Sequence, residues 1–218
     1  MGKEIKALRI FFTGVGGQGT LLATRLVGEA AMEEGLPVLM SEIHGMAQRG
    51  GVVESSVVLG AAASPIIADG EADVVVAFEP LEAARALSKC NAKTVVITST
   101  TRVMPFTVAI GQSVYPESDA LYQMVEPRVA GLIRVDAEGL ASSAGAERSS
   151  NVVMIGVLAG TGIAPISKKS FEQALRQVLP ERLIESNLRA LEAGYGFGSK
   201  AGGSWASPPS DRQTHTTR

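Results

Sequence analysis

An apolar run from Leu8 to Phe12 leads into a glycine-rich stretch, and after it Leu21, Leu22, Leu26, Ala30 and Ala31 recur at helical spacing. The pattern predicts a strand over 7–13 and a helix from Gln18 to Glu34, ended by Gly35 where a C-terminal glycine belongs. A short strand follows over 37–41. In a third, Val52 to Leu59, Glu54 and Ser56 interleave with Val53, Val57 and Leu59, as in a sheet with one wetter face. The stretch 73–78 contains the unbroken apolar run Val74 to Ala77, the signature of a buried parallel strand. A helix over 80–89, strands over 94–98 and 107–110, a helix over 118–126 and a strand over 131–136 continue the alternation. Strand and helix in turn predict an α/β fold with an open, doubly wound, mostly parallel sheet.

From Ser150 onward the periodicity is helical, over 150–160, 167–178 and 181–195, with Ser167 and Ser170 as candidate N-caps. In the last of these Leu183, Asn187, Ala190, Leu191 and Gly194 share a face whose small residues suit close helix packing. After residue 196 the chain is rich in Gly, Ser, Pro and Thr, so 1–196 reads as one domain and 197–218 as a flexible tail with Trp205 its one anchor.

Composition then excludes several classes. The 20 basic and 22 acidic residues give a net charge of -2 and no basic stripe, which argues against nucleic-acid binding. With a single cysteine, Cys90, the chain cannot by itself build a disulfide framework, a thiolate zinc site or an iron–sulfur cluster. Cys90 reads as a small hydrophobe and is given no role. No run reaches membrane-spanning length and the N-terminus lacks a secretory pattern, so a cytoplasmic protein without membrane contact is expected.

The chemistry is concentrated in two loops. Gly14-Val15-Gly16-Gly17-Gln18-Gly19 lies between a strand and a helix, where glycines let bare N–H groups and the positive helix end approach an anion. Gly14, Gly16 and Gly19 satisfy G-x-G-x-x-G, whose dinucleotide-binding form also needs an acid about 20 residues on. Glu42 is near that distance, and either serves or is merely solvated. The alternative is a tight turn with no ligand. The second loop, from Ser41 to Gly51, carries His44, Arg49, Gly50 and Gly51 between the second and third strands. Arg49 suits a carboxylate or phosphate held by two parallel bonds, or equally a surface ion pair. His44 either polarises a ligand or orients the loop. Glu79 lines the same crevice or opens the next helix as a favourable negative charge, and Asn151 reads as a helix cap more than as a ligand contact.

Taken together, Gly14 to Gly19, His44 to Gly51, Ala72-Asp73-Val74-Val75-Val76-Ala77-Phe78-Glu79-Pro80 and Asn151 to Gly156 resemble the gamma module of the 2-oxoacid:ferredoxin oxidoreductases, most of all in its indolepyruvate class. The likeness runs from about Leu8 to Gly196. It implies a Rossmann-like domain in a heteromeric enzyme whose large alpha subunit holds thiamine diphosphate, magnesium and [4Fe-4S] clusters. In that family a 2-oxoacid such as an arylpyruvate is decarboxylated, two electrons pass singly to ferredoxin, and the acyl group goes to coenzyme A. The resemblance implies that Gly14, Gly16, Gly17, Gln18 and Gly19 line the active-site crevice or receive the phosphates of coenzyme A, a role that the guanidinium of Arg49 suits by its own chemistry. It implies that Arg49, Gly50 and Gly51 lie at the subunit junction, while His44, Glu79 and Asn151 are candidates for the crevice or that junction on their own chemistry. An independent nucleotide-binding oxidoreductase and a non-catalytic scaffold remain the alternatives.

Overall fold

The computed structural model of the chain describes residues 5–44, 51–105, 108 and 110–202. Six strands form one sheet in the order β2-β3-β1-β4-β5-β6: β1 Leu8–Val15, β2 Val38–His44, β3 Val52–Leu59, β4 Val74–Ala77, β5 Val95–Ser99 and β6 Gly131–Val135. β1, β4, β5 and β6 are parallel. β3 runs antiparallel to both β1 and β2 and sits between them. β2 continues to His44 through residues expected to open a loop, because Ser41, Glu42 and Ile43 pair in register with Ser56, Ser55 and Glu54.

Helices cover the two faces unequally. On one lie α1 (Thr20–Glu33), α4 (Ala137–Ser143), α5 (Ser150–Thr161), α6 (Lys168–Val178) and α7 (Glu181–Ala201). They bury Ile10, Phe12, Val57, Val76 and Ile97 in the larger core. On the other, α2 (Pro80–Arg85) and α3 (Ser118–Val125) cover Phe11, Val58, Val75 and Val96. The crossover from β1 goes to the first face and that from β4 to the second, so the sheet switches direction between β1 and β4. In open α/β sheets a crevice for ligands forms at such a point.

Several expectations are corrected by packing. The helix over 80–89 is α2 followed by a 3-10 turn at Ala86–Lys89. Of the strand expected over 107–110, Val108 and Ile110 are described and neither is in a strand, because the amides of Val108 and Gly111 close turns onto Pro105 and Val108. α4 was not anticipated; the Asp136 carboxylate starts it by accepting from the amide of Gly139 at 2.9 Å. Ser149, not Asn151, occupies the N-cap of α5. Ser167 caps α6, while Ser170 lies inside it and donates to Glu34 at 2.7 Å. α7 runs to Ala201, five residues past the boundary set at 196.

That extension has a packing cause. α5 is buried along almost its whole length between the sheet and α7, and Gly156 and Gly160 face Gly194, Gly198 and Gly202. A Cβ on any of these five would overlap backbone of the opposite helix or of the Thr161 turn. Residues that read as breakers in isolation here allow two helix backbones to touch.

Among the described residues, the buried side-chain oxygens without a hydrogen-bond partner are those of Thr20, Ser55 and Glu82, and the carboxylate is the costly one. Glu82 on α2 is 1% exposed, and although Oε1 pairs with Arg85 at 2.6 Å, Oε2 has no hydrogen-bond partner. Burial pushes its carboxyl upward, opposed by the Arg85 charge. A raised folded-state value favours the fold below the ordinary carboxylate range, and this contribution is lost as pH rises through the raised value. Glu82→Gln is therefore expected to stabilise the chain at pH 8 by about 1 kcal/mol, the lower end of the cost of an unpartnered buried group, and to give no gain at pH 4. Thermal melts at the two pH values check it.

Candidate functional site

The glycine loop is a tight turn made by its own sequence. Leaving β1, the chain reverses through a hydrogen bond from the Gln18 amide to the Val15 carbonyl at 3.1 Å, with Gly17 at φ 104° and Gly19 at φ 78°. Both angles favour glycine. The Gln18 side chain brackets the turn: Oε1 accepts from the Val15 amide at 2.7 Å and Nε2 donates to the Phe78 carbonyl at the end of β4, 2.8 Å away. Gly16 donates to the carbonyl of Gly51 at 2.9 Å, which joins the two loops singled out from the sequence.

Beside this turn lies a cavity of about 420 Å³ at the carboxyl ends of β1, β4, β5 and β6. Gly17, Gln18 and Gly19 form one wall, Phe78, Ser99, Thr101 and Val103 another, and Ala137, Glu138, Arg148, Ser150, Asn151 and Met154 the rest. Two helices start here. Gly19 and Ser149 hold the N-cap positions of α1 and α5, and neither helix has a side-chain cap, so the amides at their very starts and their positive dipole ends are left for another acceptor. The starts are tied together by Asn151, whose Nδ2 donates to the Gly19 carbonyl at 3.3 Å. A Cβ on Gly19 would overlap that amide, whereas one on Gly17 would meet nothing within 4 Å.

Arg148 is the cation of this cavity. It makes no hydrogen bond or ion pair among the described residues and is exposed at the start of α5. Glu138, exposed on α4, is the one carboxylate in the wall. Two uncapped helix starts, a free guanidinium and the hydroxyls of Ser99, Thr101 and Ser150 suit a multiply charged oxyanion such as a phosphate ester.

The sequence-derived residues divide accordingly. Gly17, Gln18, Gly19 and Asn151 meet at the cavity. Gly14 is buried in β1, packed on Thr20, Gln18 and Phe78, and Gly16 is half-buried; neither lines it. Of the two readings left open for Glu79 the second holds: 1% exposed and absent from the cavity wall, it opens α2 as its cap by accepting from the Glu82 amide at 3.0 Å, and Tyr115 donates to its other oxygen. His44 ends β2 opposite Val53, and Gly51 holds Gly16. Arg49 and Gly50 lie outside the described residues. Arg148, Glu138, Ser99, Thr101 and Ser150 were not foreseen, and only the Arg148-Ser149-Ser150 run before a helix pattern hinted at any of them. Cys90 is half-buried and bonded to the Ala86 carbonyl, its thiol pushed up to about 11 by burial, which makes it unreactive at neutral pH.

The dinucleotide reading fails on topology. Its ribose-binding acid must stand at the end of a strand beside β1. β3 separates Glu42 from β1, and the Glu42 side chain is exposed. Among the described residues no group of His, Cys, Asp and Glu could hold a metal, and no helix is long and apolar enough to cross a membrane.

The fold and the cavity define an α/β domain with an open crevice at the carboxyl ends of its parallel strands. The family described as pyruvate ferredoxin/flavodoxin oxidoreductase matches residues 9–197, and the chain belongs to it. It is 43% identical over 192 residues to indolepyruvate oxidoreductase subunit IorB of Methanothermobacter thermautotrophicus, covering 88% of this chain and 98% of that one. It is 38% identical to the subunit of the same name in Thermococcus kodakarensis, covering 87% and 95%. Among solved structures it resembles pyruvate oxidoreductase subunit PORC of Thermotoga maritima, with a TM-score of 0.65, 23% identity and 88% and 97% of the two chains covered. It also resembles the 2-oxoglutarate:ferredoxin oxidoreductase of Magnetococcus marinus, solved with 2-oxoglutarate, coenzyme A and succinyl-CoA. There the TM-score is 0.69 at 19% identity, over 90% of this chain and 32% of that one. These two show a shared fold.

Proposed function

We propose that this chain is the small subunit of an indolepyruvate-type oxidoreductase acting in the cytoplasm. The assembled enzyme oxidatively decarboxylates an arylpyruvate to its acyl-CoA and passes the electrons to ferredoxin. The observation that carries the reading is the convergence of two uncapped helix starts and an unpaired arginine on one cavity, in a chain of this family.

In this reading the cavity binds the phosphates of coenzyme A. The amides at Gly17, Gly19 and the first turn of α1 approach one phosphate, and those at Ser150 and Asn151 another. Arg148 supplies the counter-charge, and Glu138 accepts from a hydroxyl or amino group of the ligand. Gln18 and Asn151 keep the two helix starts in register with the strand ends. Arg49, on the loop that leads to Gly51, contributes a second guanidinium.

The residues do not fit the redox cofactors: one half-buried cysteine cannot ligate a [4Fe-4S] cluster. Thiamine diphosphate, magnesium and the clusters are assigned to a large alpha subunit, which supplies the decarboxylation and electron-transfer chemistry. This chain orients the co-substrate and shields it from water. Ferredoxin is reached through the complex.

Co-expression with a large thiamine-dependent subunit tests this. The purified small chain is expected to reduce no ferredoxin with indolepyruvate and coenzyme A, and the co-purified complex to do so. Arg49→Ala in that complex is expected to raise the KM for coenzyme A. Turnover by the isolated chain, or tight retention of NAD or NADP, overturns the proposal.

A further inference from the structure

We propose that Tyr115 and Glu79 form a latch that sets the width of the cavity by holding the segment after β5 against the end of β4. The proposal builds on the reading of that cavity as the binding site.

Glu79 follows Phe78, a cavity wall residue, at the end of β4. Its carboxylate has two donors: the Glu82 amide, 3.0 Å from Oε2, and the Tyr115 hydroxyl on Oε1. Capping α2 needs only the first. The second comes from a residue 36 positions away in a stretch that is neither strand nor helix at its described positions from 110 to 117, and both side chains are buried. A buried hydrogen bond to a charged oxygen is among the stronger contacts available to an irregular segment.

Tyr115 in turn holds the Thr101–Val103 part of the wall that Phe78 shares. The Arg102 guanidinium lies over its ring, 5.6 Å from the centroid, and is tied by Nε to the Ser118 hydroxyl at 2.8 Å. Arg102 stands between Thr101 and Val103, both of which line the cavity. From Glu79 the linkage also runs the opposite way: the Phe78 carbonyl accepts from Gln18, which brackets the glycine turn, and the Phe78 amide donates to Thr13 at 2.9 Å. One buried contact thus connects the Thr101–Val103 wall to the Gly17–Gly19 wall. Tyr115 acts as a positioning residue, since it lies behind the cavity surface and touches nothing in it.

Amide hydrogen exchange on the full chain tests the latch with two variants. Tyr115→Phe removes the donor but leaves Glu79 charged and buried with one partner fewer. Adding Glu79→Gln removes the charge while keeping an acceptor for the Glu82 amide. In both, exchange at the bonded amides of Thr100 and Thr101 and of Gly16 and Gln18 is expected to rise about tenfold, with β4 and α5 unchanged, as local opening requires. In the assembled complex the double variant is expected to raise the KM for coenzyme A about fivefold, with kcat within about twofold, the signature of lost binding rather than lost chemistry. Unchanged exchange in both segments, or a uniform rise across β4 and α5 as well, overturns the latch. Loosening of the two walls with an unaltered KM upholds the latch and overturns coenzyme A as the occupant.

Discussion

Gly194→Ala is expected to destabilise the chain by about 3 kcal/mol, near the upper end of the cost of overpacking by one methyl. The added Cβ would meet the carbonyl of Val153 and the Cα of Gly156, which are backbone atoms of a helix wedged between the sheet and α7. Neither can turn aside as a side chain would. The helices must part, and parting them also loosens the Gly160, Gly198 and Gly202 contacts. Gly196 provides the control, since it lies on the same helix and a Cβ there meets nothing within 4 Å. Gly196→Ala is expected to stabilise by about 0.5–1 kcal/mol through helix propensity alone. Urea midpoints for the pair separate close packing from propensity. Equal and opposite small effects would contradict the packing account.

The second large effect concerns binding. Arg148→Ala in the assembled enzyme is expected to raise the KM for coenzyme A by about 10- to 100-fold, as follows from the roughly 1.5–3 kcal/mol of a charge-assisted hydrogen bond. Because Arg148 makes no hydrogen bond or ion pair among the described residues, its removal leaves no buried charge stranded and the melting temperature is expected to stay within about 2 °C, as for a surface substitution. Arg148→Lys restores charge without the planar fork and is expected to recover only part of the affinity. Steady-state kinetics at varied coenzyme A, with melts on the same preparations, check both arms.

The fold was legible wherever one element's own pattern decided it. The unbroken run Val74 to Ala77 marked a buried parallel strand, and the helical spacing after Gly19 marked α1. The position of β3 was not legible, because the alternation from Val52 to Leu59 fits a strand in either direction and pairing is decided between segments. The end of α7 failed in a related way. Gly194, Gly196, Gly198 and Gly202 weaken an isolated helix, and only the facing glycines of α5 reveal the close approach that most of them permit. α4 was missed because it is one of the shorter helices, seven residues long, and contains Gly139.

The site divides along the same line. The Gly14 to Gly19 turn could be read locally, since two of its residues need positive φ. Arg148 could not be, because an arginine before a helix usually faces solvent. Its meaning comes from Asn151 reaching Gly19 across 132 positions, which brings two helix starts together. For Glu79 the sequence offers both the crevice and the start of the next helix; it takes the second, and its bond to the Tyr115 hydroxyl, 36 positions away, is not legible from local pattern.

A structure of the assembled complex with coenzyme A, determined by electron cryomicroscopy, tests the central claim most directly. The account predicts the ligand's phosphates within hydrogen-bond reach of the backbone amides at Gly17 to Leu21 and of the Arg148 guanidinium. Coenzyme A bound wholly on the large subunit, with this cavity holding solvent or partner backbone, would contradict it.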